Sequence, residues 1–297
     1  MFSGETLTGA PERLPRWVLG KPAPIGAGDT LKSGLRQAGL TTVCEDARCP
    51  NLADCFSRGV ATFMVLGATC TRTCAFCAVE QGTPEALDGD EPERLAEQVA
   101  RMELSHVVIT SVDRDDLPDG GAAHFARCVR AVRERLPGTT VEVLTPDFGG
   151  GTPDALTVAA AGPTVFNHNV ETVPRLYRQV RPGADYAGSL ALLRAVKEAH
   201  PGMVTKSGVM VGLGETDEEL LAVFADLKAV GCDVLTVGQY LRPTTAQRPV
   251  DRYVTPDGFG RLRQSARNMG FAHVAAGPRV RSSYGAAAVL SGLAAGE

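Results

Sequence analysis

Short apolar segments alternate with segments of helical spacing from residue 61 to near the end of the chain. The apolar segments are rich in Val, Ile and Thr and have the length of buried strands. Repeated alternation of this kind predicts a parallel sheet made of βα units. We expect six strands and a candidate seventh, at 62–67, 106–112, 140–145, 164–167, 204–211, 233–238 and 272–275.

Several of the intervening segments carry specific helix signals. Leu95, Val99 and Met102 recur at i, i+4 and i+7, just after a proline suited to a helix start. Thr216 and Glu219 have the spacing of a capping box, which predicts a helix that begins there. Two further apolar faces are expected at Phe125, Val129, Val132 and Leu136, and at Leu220, Phe224 and Leu227.

Unusual polar residues follow the ends of all six expected strands. In a barrel, the carboxyl ends of all strands meet at one mouth, whereas an open sheet concentrates its ligands at a switch point. The pattern therefore predicts an α/β fold, a partial (β/α)6 TIM-type barrel with N-terminal and C-terminal extensions. We expect an N-terminal extension at 1–60, the barrel at 61–270 and a C-terminal extension at 271–297. Residues 1–30 are expected to form an extended arm anchored by Trp17.

Composition narrows the class of protein. The 297 residues are 44 % hydrophobic and 22 % charged, which is typical of a globular chain. The formal net charge of -4 disfavours nucleic acid as a partner. No apolar run is long enough to span a membrane, and the N-terminus lacks the pattern of a secretory signal. We therefore expect a soluble, cytoplasmic protein without a membrane partner.

Six of the eight cysteines fall in two groups between residues 44 and 77. Cys70, Cys74 and Cys77 form a C-x3-C-x2-C pattern in a polar loop after the first expected strand. Three thiolates favour a [4Fe-4S] cluster whose fourth iron stays open to another molecule. A zinc site completed by a distant residue is the alternative.

The segment Cys70-Thr-Arg-Thr-Cys74-Ala-Phe-Cys77 resembles the signature of the radical S-adenosylmethionine (SAM) superfamily. This resemblance implies that the open iron chelates SAM, and that one electron from the cluster yields a 5′-deoxyadenosyl radical. Candidate SAM contacts follow two expected strands. The resemblance implies that the loop after the second strand contacts the methionyl end of SAM and that the loop after the fourth strand contacts its ribose. The candidates are Ser111, Asp113, Arg114, Asn169 and Glu171. For residues 113–116 of the second-strand loop, a solvated acidic turn, or an Arg114 ion pair that shapes the loop, is an equally good interpretation.

The upstream group, Cys44-x4-Cys49-x5-Cys55, resembles the auxiliary-cluster motif of the lipoyl synthase family. The segment Arg281-Ser282-Ser283-Tyr284 resembles that family's terminal motif, which implies Ser283 as the fourth ligand of a second [4Fe-4S] cluster, with Ser282 left open as an alternative. The resemblance extends from about residue 17 to residue 284. The chain departs from the family pattern at Ala75, Ala78 and Gly285, none of which is an expected ligand.

The resemblance implies insertion of two sulfur atoms at carbon 6 and carbon 8 of a protein-bound octanoyl-lysine. The catalytic residues would be Cys70, Cys74, Cys77 and Ser283. The implied partners are octanoylated lipoyl carrier domains (dihydrolipoyl acyltransferase subunits or the glycine cleavage H protein), a low-potential electron donor, and proteins that assemble or repair Fe-S clusters. A biotin synthase-like sulfur-inserting enzyme and a non-enzymatic two-cluster protein are the alternatives.

Four other polar or sulfur-containing residues are expected to be structural. Cys128 lies on the apolar face of an expected helix, and Cys232 lies in a short turn before a strand. Unpaired cysteines are commonly buried in protein cores. Lys206 and His168 are likewise expected to be satisfied by neighbouring groups and to take no part in catalysis.

Overall fold

The computed structural model describes residues 7–8, 14–20, 26 and 28–295. The strands are β1 (Leu7–Thr8), β2 (Thr41–Thr42), β3 (Thr62–Val65), β4 (Thr69–Cys70), β5 (Glu80–Gln81), β6 (His106–Ser111), β7 (Thr140–Leu144), β8 (Val165–Asn167), β9 (Val204–Val211), β10 (Val234–Gln239), β11 (Arg252–Tyr253) and β12 (His273–Gly277). The helices are α1 (Asp29–Gln37), α2 (Val43–Asp46), α3 (Leu52–Ser57), α4 (Glu91–Arg101), α5 (Ala122–Arg135), α6 (Thr152–Ala160), α7 (Tyr177–Val180), α8 (Tyr186–Ala199), α9 (Asp217–Ala229), α10 (Pro256–Asn268) and α11 (Ala286–Ala295).

The main sheet has the order β12-β10-β9-β8-β7-β6-β3-β2. All neighbouring strands from β3 to β12 are parallel, and only β2 pairs antiparallel with β3. Within the described residues no ladder joins β12 to β2 or β3, so the sheet curves without closing. This is the partial barrel expected from the βα alternation, and β12 is the seventh parallel strand. The central strands are buried along most of their length, as parallel strands covered by helices require.

The helices follow the sequence signals closely. Thr216 and Glu219 form the expected reciprocal capping box at the start of α9. Leu220, Phe224 and Leu227 are buried on that helix, as expected. The faces of α4 and α5 are also buried, but these helices end at Arg101 and Arg135. Met102 and Leu136 are therefore C-cap residues, one position beyond the helices that the pattern suggested.

Most of the arm expected at residues 1–30 lies outside the described residues. In the described part, Trp17 Nε1 donates to the carbonyl of Val254 at 3.2 Å, which confirms its anchoring role. Residues 16–18 form a short 3-10 helix instead of extended chain, and α1 begins at Asp29, inside the range expected to be an arm. Within the part of the chain that the structure describes, no helix is both long and apolar enough to cross a bilayer.

A buried ion pair lies between the strands. Lys206 Nζ on β9 lies 2.9 Å from Glu142 Oε1 on β7, and both side chains are almost fully buried. Asn167 Nδ2 on β8 donates to the same carboxylate oxygen. Lys206 is thus satisfied by Glu142, as expected, and the Glu142 carboxylate links β7 to β8 and β9.

Candidate active site

A cavity of about 300 Å³ lies where the carboxyl ends of the parallel strands meet. Five of the six clustered cysteines line it, together with the end of β6, the segment after β8 and the C-terminal segment after β12. This position agrees with the convergence of polar residues expected at the barrel mouth.

The C-x3-C-x2-C loop leaves β3 and closes over the mouth. Backbone bonds hold it at several points: Thr71 N donates to Asp113 O, Ala75 N to Val180 O, and Gly82 N to Cys70 O. A further bond from Cys77 N to Cys74 O makes the turn between the last two cysteines. Cys70, Cys74 and Cys77 all line the cavity as free thiols, so their side chains share one space.

Arg72 fixes this loop to the barrel from within the motif. Its guanidinium donates to both oxygens of Asp115 at 2.7 and 2.8 Å and to Asp147 Oδ2 at 2.9 Å. The side chains of Arg72 and Asp147 are each 6 % exposed, so their contact is shielded from water, whereas the Asp115 side chain is 40 % exposed. Bidentate pairing of this kind fixes the direction of a guanidinium as well as its position. Arg72 therefore sets the conformation of the segment between Cys70 and Cys74.

Arg114 supports the start of the same loop. Its Nη1 donates to the carbonyl of Leu66 at 3.0 Å, and its Nε and Nη2 bind Asp116. Leu66 has a positive φ of 70°, and its N–H donates to Glu91 Oε2 at 3.0 Å. Arg114 is buried and does not line the cavity. The structure thus places it behind the loop, away from the other candidate SAM contacts.

Those other candidates lie together in the cavity wall. Ser111 ends β6, and its buried hydroxyl has no hydrogen-bond partner among the described residues. Burial raises the pKa of the nearby Asp113 carboxyl to about 6 against the opposing charge of Arg72. An unpaired hydroxyl beside a carboxylate suits a ligand that carries hydrogen-bonding and cationic groups.

Asn169 and Glu171 form a second polar pair on the segment after β8. Asn169 Nδ2 donates to Glu171 Oε1 at 3.0 Å. Glu171 adopts a positive φ of 64° and is fixed by backbone bonds to Gly208 and Met210 on β9. Burial raises the pKa of Glu171, while Arg181 acts in the opposite direction. Glu171 Oε2 has no hydrogen-bond partner within the described part of the chain and lies in the wall of the cavity.

The second cysteine group is built on two short helices. Cys44 lies in α2, Cys55 lies in α3, and Cys49 lies in the turn between them. Thr42 caps α2 by accepting from Glu45 N, and Cys49 N donates to Cys44 O at 3.0 Å. The three thiols border one small cavity of about 20 Å³. The sequence pattern did not predict these helices.

The C-terminal segment brings Ser283 to this second group. Ser283 and Tyr284 line the small cavity with Cys44, Cys49 and Cys55. Ser282 does not line it and instead donates to Asn169 Oδ1 at 2.8 Å. Both serines line the large cavity, but of the two only Ser283 also lines the small cavity that all three cysteines border.

The donor chemistry at both cysteine groups fits an iron–sulfur cluster. Burial raises the pKa of Cys74 to about 12 and that of Cys77 to about 11, and it raises the pKa of Cys44 to about 12. Several buried thiolates at one place therefore need a strongly positive partner, which a metal centre provides. Thiolate-rich sites of this kind select zinc or iron–sulfur clusters.

Comparison with known proteins decides between these possibilities. Residues 64–227 match the Radical SAM superfamily. The chain is 56 % identical over 286 residues to the lipoyl synthase of Thiobacillus denitrificans, covering 96 % of this chain and 92 % of that one. It is 56 % identical to the lipoyl synthase of Cronobacter sakazakii, covering 92 % and 85 %. The chain belongs to the lipoyl synthase family. Membership of the Radical SAM superfamily implies SAM and a [4Fe-4S] cluster.

Solved structures with low identity confirm the fold. Methylornithine synthase superposes with a TM-score of 0.53 at 16 % identity, covering 88 % of this chain and 80 % of that one. Streptococcus suis SuiB bound to its precursor peptide SuiA gives a TM-score of 0.56 at 14 % identity, covering 71 % and 47 %. These likenesses support the partial TIM-type barrel.

Two arginines that line the site were not among the candidate residues from the sequence. Arg181 is buried against the cavity, and its Nη1 donates to Asn169 O at 2.9 Å. Arg281 lines both cavities. Arg281 belongs to the segment 281–284 that carries the family resemblance, but the sequence assigned neither arginine a role, because both roles depend on distant partners. Cys128 and Cys232 are fully buried and line neither cavity, in agreement with the expected structural role.

Proposed function

We propose that this enzyme inserts two sulfur atoms at carbon 6 and carbon 8 of an octanoyl chain carried in amide linkage by a lysine of a lipoyl domain. The observation that carries the proposal is the shared cavity. Two cysteine groups, which follow the patterns of a SAM-binding cluster and an auxiliary cluster, border one space at the barrel mouth. A substrate carbon in that space is accessible from both groups.

Cys70, Cys74 and Cys77 are proposed as the ligands of the SAM-binding cluster. When bound, such a cluster supplies an electron and an open iron at which SAM is cleaved to a radical that removes hydrogen from unactivated carbon. Backbone bonds to Asp113 and Val180 fix the direction of the loop. Preorganisation of this kind holds the reacting groups in a productive geometry.

Ser111, Asp113, Asn169 and Glu171 are proposed as the residues that bind SAM. Asp113 and the unpaired Ser111 hydroxyl suit the amino and carboxylate groups of the methionyl end. Asn169 and Glu171 suit the ribose, because Nδ2 keeps one donor hydrogen and Oε2 remains free to accept. Arg114 was a sequence candidate for the same role. We propose instead that it supports the loop through Leu66.

Cys44, Cys49, Cys55 and Ser283 are proposed as the ligands of the auxiliary cluster, the second [4Fe-4S] group. Support comes from the small cavity that all four residues border. An oxygen ligand is harder than a thiolate and binds iron in a sulfur-rich site less tightly. We propose that the Ser283 hydroxyl is the ligand that is released when sulfur leaves this site.

The rest of the cavity wall suits an acyl chain. Its apolar residues include Met64, Leu144, Met210 and Leu241. Such a lining excludes water and favours burial of methylene groups. The proposed substrate is therefore the octanoyl chain of a lipoyl carrier domain, such as that of a dihydrolipoyl acyltransferase or the glycine cleavage H protein.

Two other kinds of partner follow from this chemistry. Reduction of the SAM-binding cluster needs a low-potential electron donor, and loss of sulfur from the auxiliary site requires proteins that assemble or repair clusters. We propose the cytoplasm as the compartment, because six thiols placed to bind metal need reducing surroundings.

Substitution of one cysteine in each group tests the assignment of the two cluster sites. Cys74→Ala and Cys49→Ala proteins, reconstituted anaerobically with iron and sulfide, are compared with the unsubstituted chain. We expect each variant to bind about half of the iron, and only the Cys49→Ala protein to form 5′-deoxyadenosine from SAM and reductant. Undiminished iron binding by Cys49→Ala would overturn the auxiliary assignment. A Cys74→Ala protein that forms 5′-deoxyadenosine would overturn the assignment of the SAM site.

A further inference from the structure

The C-terminal segment 279–284 contacts both proposed cluster sites through adjacent residues. Ser283 borders the cavity of Cys44, Cys49 and Cys55, and Ser282 donates to Asn169 Oδ1 at 2.8 Å. Asn169 belongs to the polar pair proposed to bind the ribose of SAM. One peptide bond therefore separates a contact to the SAM site from a contact to the auxiliary site.

The hydrogen bond from Ser282 fixes the orientation of the Asn169 amide. With Oδ1 accepting from Ser282 and Nδ2 donating to Glu171 Oε1, both ends of the amide are assigned. A flipped amide would direct its NH2 group at the hydroxyl of Ser282 and its oxygen at a carboxylate, which is unfavourable. The remaining hydrogen of Nδ2 can then donate to a bound hydroxyl.

The space around this contact depends on Gly208 of β9. A Cβ at that position would lie 2.7 Å from Asn169 Oδ1, 2.7 Å from Thr236 Oγ1 and 2.8 Å from Ser282 Oγ. The three polar atoms can converge only because residue 208 has no side chain. An alanine there would force Ser282 and Asn169 apart without removing either hydrogen-bonding group.

Both ends of the same segment are attached to α3, the helix that carries Cys55, or to its N-cap residue Asn51. Arg279 Nε donates to Asn51 Oδ1 at 2.9 Å, and Asn51 Nδ2 donates back to Arg279 O at 2.8 Å. At the other end, Tyr284 OH donates to Asp54 Oδ2 at 3.2 Å. The segment is therefore held at both ends by the auxiliary region and at its centre by the SAM site.

We propose that Ser282 is a positioning residue that couples SAM binding to the placement of Ser283 beside the auxiliary cysteines. The proposal rests on the function proposed above, because it requires SAM to occupy the Asn169 and Glu171 pair. SAM bound to that pair stabilises Asn169 in its present orientation. Asn169 then holds Ser282 through their hydrogen bond, and Ser282 holds the turn that places Ser283 beside the auxiliary cysteines. By linkage, the coupling also acts in reverse, so an ordered turn tightens SAM binding.

The test compares Ser282→Ala with Ser283→Ala, two adjacent substitutions that each remove one hydroxyl. SAM affinity is measured anaerobically by calorimetry on the reconstituted proteins. Hydrogen exchange of the peptide that spans 279–285 is followed with and without SAM. For the unsubstituted chain we expect SAM to slow exchange in this peptide. Loss of one hydrogen bond should weaken SAM binding by Ser282→Ala about three- to tenfold, and SAM should no longer slow exchange there.

The other variants distinguish a positioning role of Ser282 from a general disruption of the C-terminal segment. Ser283→Ala should lose auxiliary iron and keep the Ser282 contact, so SAM should still slow exchange in the 279–285 peptide. Gly208→Ala should resemble Ser282→Ala although it retains the serine, and Ser282→Thr should recover SAM affinity. At saturating SAM, Ser282→Ala should still form 5′-deoxyadenosine, because the residue acts through Asn169.

Failure of the proposed function and failure of the proposed coupling give different results. If the unsubstituted chain binds no SAM, both the proposed function and the coupling are wrong. If it binds SAM, but Ser282→Ala has unchanged affinity and SAM still slows exchange in the peptide, the coupling is wrong and the proposed function remains. Equal loss of affinity in Ser282→Ala and Ser283→Ala would also refute a specific role for Ser282.

Discussion

Arg72 donates to Asp147 at 2.9 Å, and this bond ties the C-x3-C-x2-C loop to the segment that follows β7. Both side chains are 6 % exposed. Burial raises the pKa of the Asp147 carboxyl, but hydrogen bonding and the charge of Arg72 outweigh this effect and hold the pKa below its usual value. A buried charged contact between Arg72 and Asp147 therefore fixes the cysteine loop to the barrel.

We expect Arg72→Ala to destabilise the metal-free protein by about 3 kcal/mol, because it leaves a buried carboxylate without its partner. Urea denaturation measures the loss, and iron binding should fall with it. Arg101→Ala is the matched control, since Arg101 pairs with Glu97 on the surface. That exposed pair should contribute less than about 0.5 kcal/mol. Equal losses for the two variants would refute the role assigned to Arg72.

Arg114→Met should lower stability without a direct effect on the SAM site. Removal of the guanidinium leaves the carbonyl of Leu66 unpaired, at an expected cost of about 1–3 kcal/mol in the free energy of unfolding. SAM affinity of the fully loaded protein should stay within about twofold of the unsubstituted value. A much larger loss of affinity with unchanged stability would restore Arg114 as a SAM contact.

The buried pair of Glu142 and Lys206 should behave as a unit. Lys206→Met alone leaves an unpaired carboxylate inside the barrel and should cost about 3–5 kcal/mol of stability. The double substitution Glu142→Gln with Lys206→Met removes both charges and should recover a large part of this loss. Denaturation of Lys206→Met, of Glu142→Gln, of the double variant and of the unsubstituted chain gives the coupling energy. Additive losses would show that the pair makes no net electrostatic contribution.

His168 should make stability depend on pH. Burial and the charge of Arg181 lower the pKa of His168 to about 4, against the opposing effect of Asp147. The unfolded chain takes up a proton near pH 6.5, whereas the folded protein does not until about pH 4. The contribution of His168 is therefore complete above pH 6.5 and is lost as the pH falls towards 4. Between pH 7 and 5 the loss should be about 2 kcal/mol.

Denaturation at several pH values checks this expectation with His168→Gln. The variant should be less stable at pH 7, because it alters the bonds to Thr145 and Ser189, but its stability should fall less steeply with acid. His200→Gln, at the half-buried C-cap of α8, serves as the substitution control. An unchanged slope in His168→Gln would contradict the assignment.

Ser283→Cys tests the role of the oxygen ligand. A fourth thiolate should retain the auxiliary cluster and bind it more tightly, since sulfur suits this iron site better than oxygen. We expect full iron content with impaired sulfur insertion, measured as iron per chain and as thiolated product. Complete turnover by this variant would refute the proposed release of Ser283.

Local patterns in the sequence were enough to predict the elements that carry the site. The capping box at Thr216 depends only on residues within one turn, and the strands depend on runs of apolar residues. The cysteine spacings likewise lie within short loops. Because each of these features depends only on residues close together in the chain, it can be identified from a single sequence.

Contacts between distant residues could not be predicted in this way. Arg114 follows Asp113 in an acidic loop and has the chemistry of a ligand contact, but its partner Leu66 lies 48 positions away. The difference between Ser282 and Ser283 depends on a turn that only the packed C-terminal segment defines. Such roles are set by tertiary structure, which leaves no periodic signal in the chain.

The most direct test of the proposed function is mass spectrometry of an octanoylated lipoyl-domain peptide after anaerobic incubation with the reconstituted protein, SAM and reductant. We predict a product that has gained two sulfur atoms and lost two hydrogen atoms, together with 5′-deoxyadenosine. An unmodified peptide, from a protein that carries both clusters and forms 5′-deoxyadenosine, would contradict the assignment of the substrate.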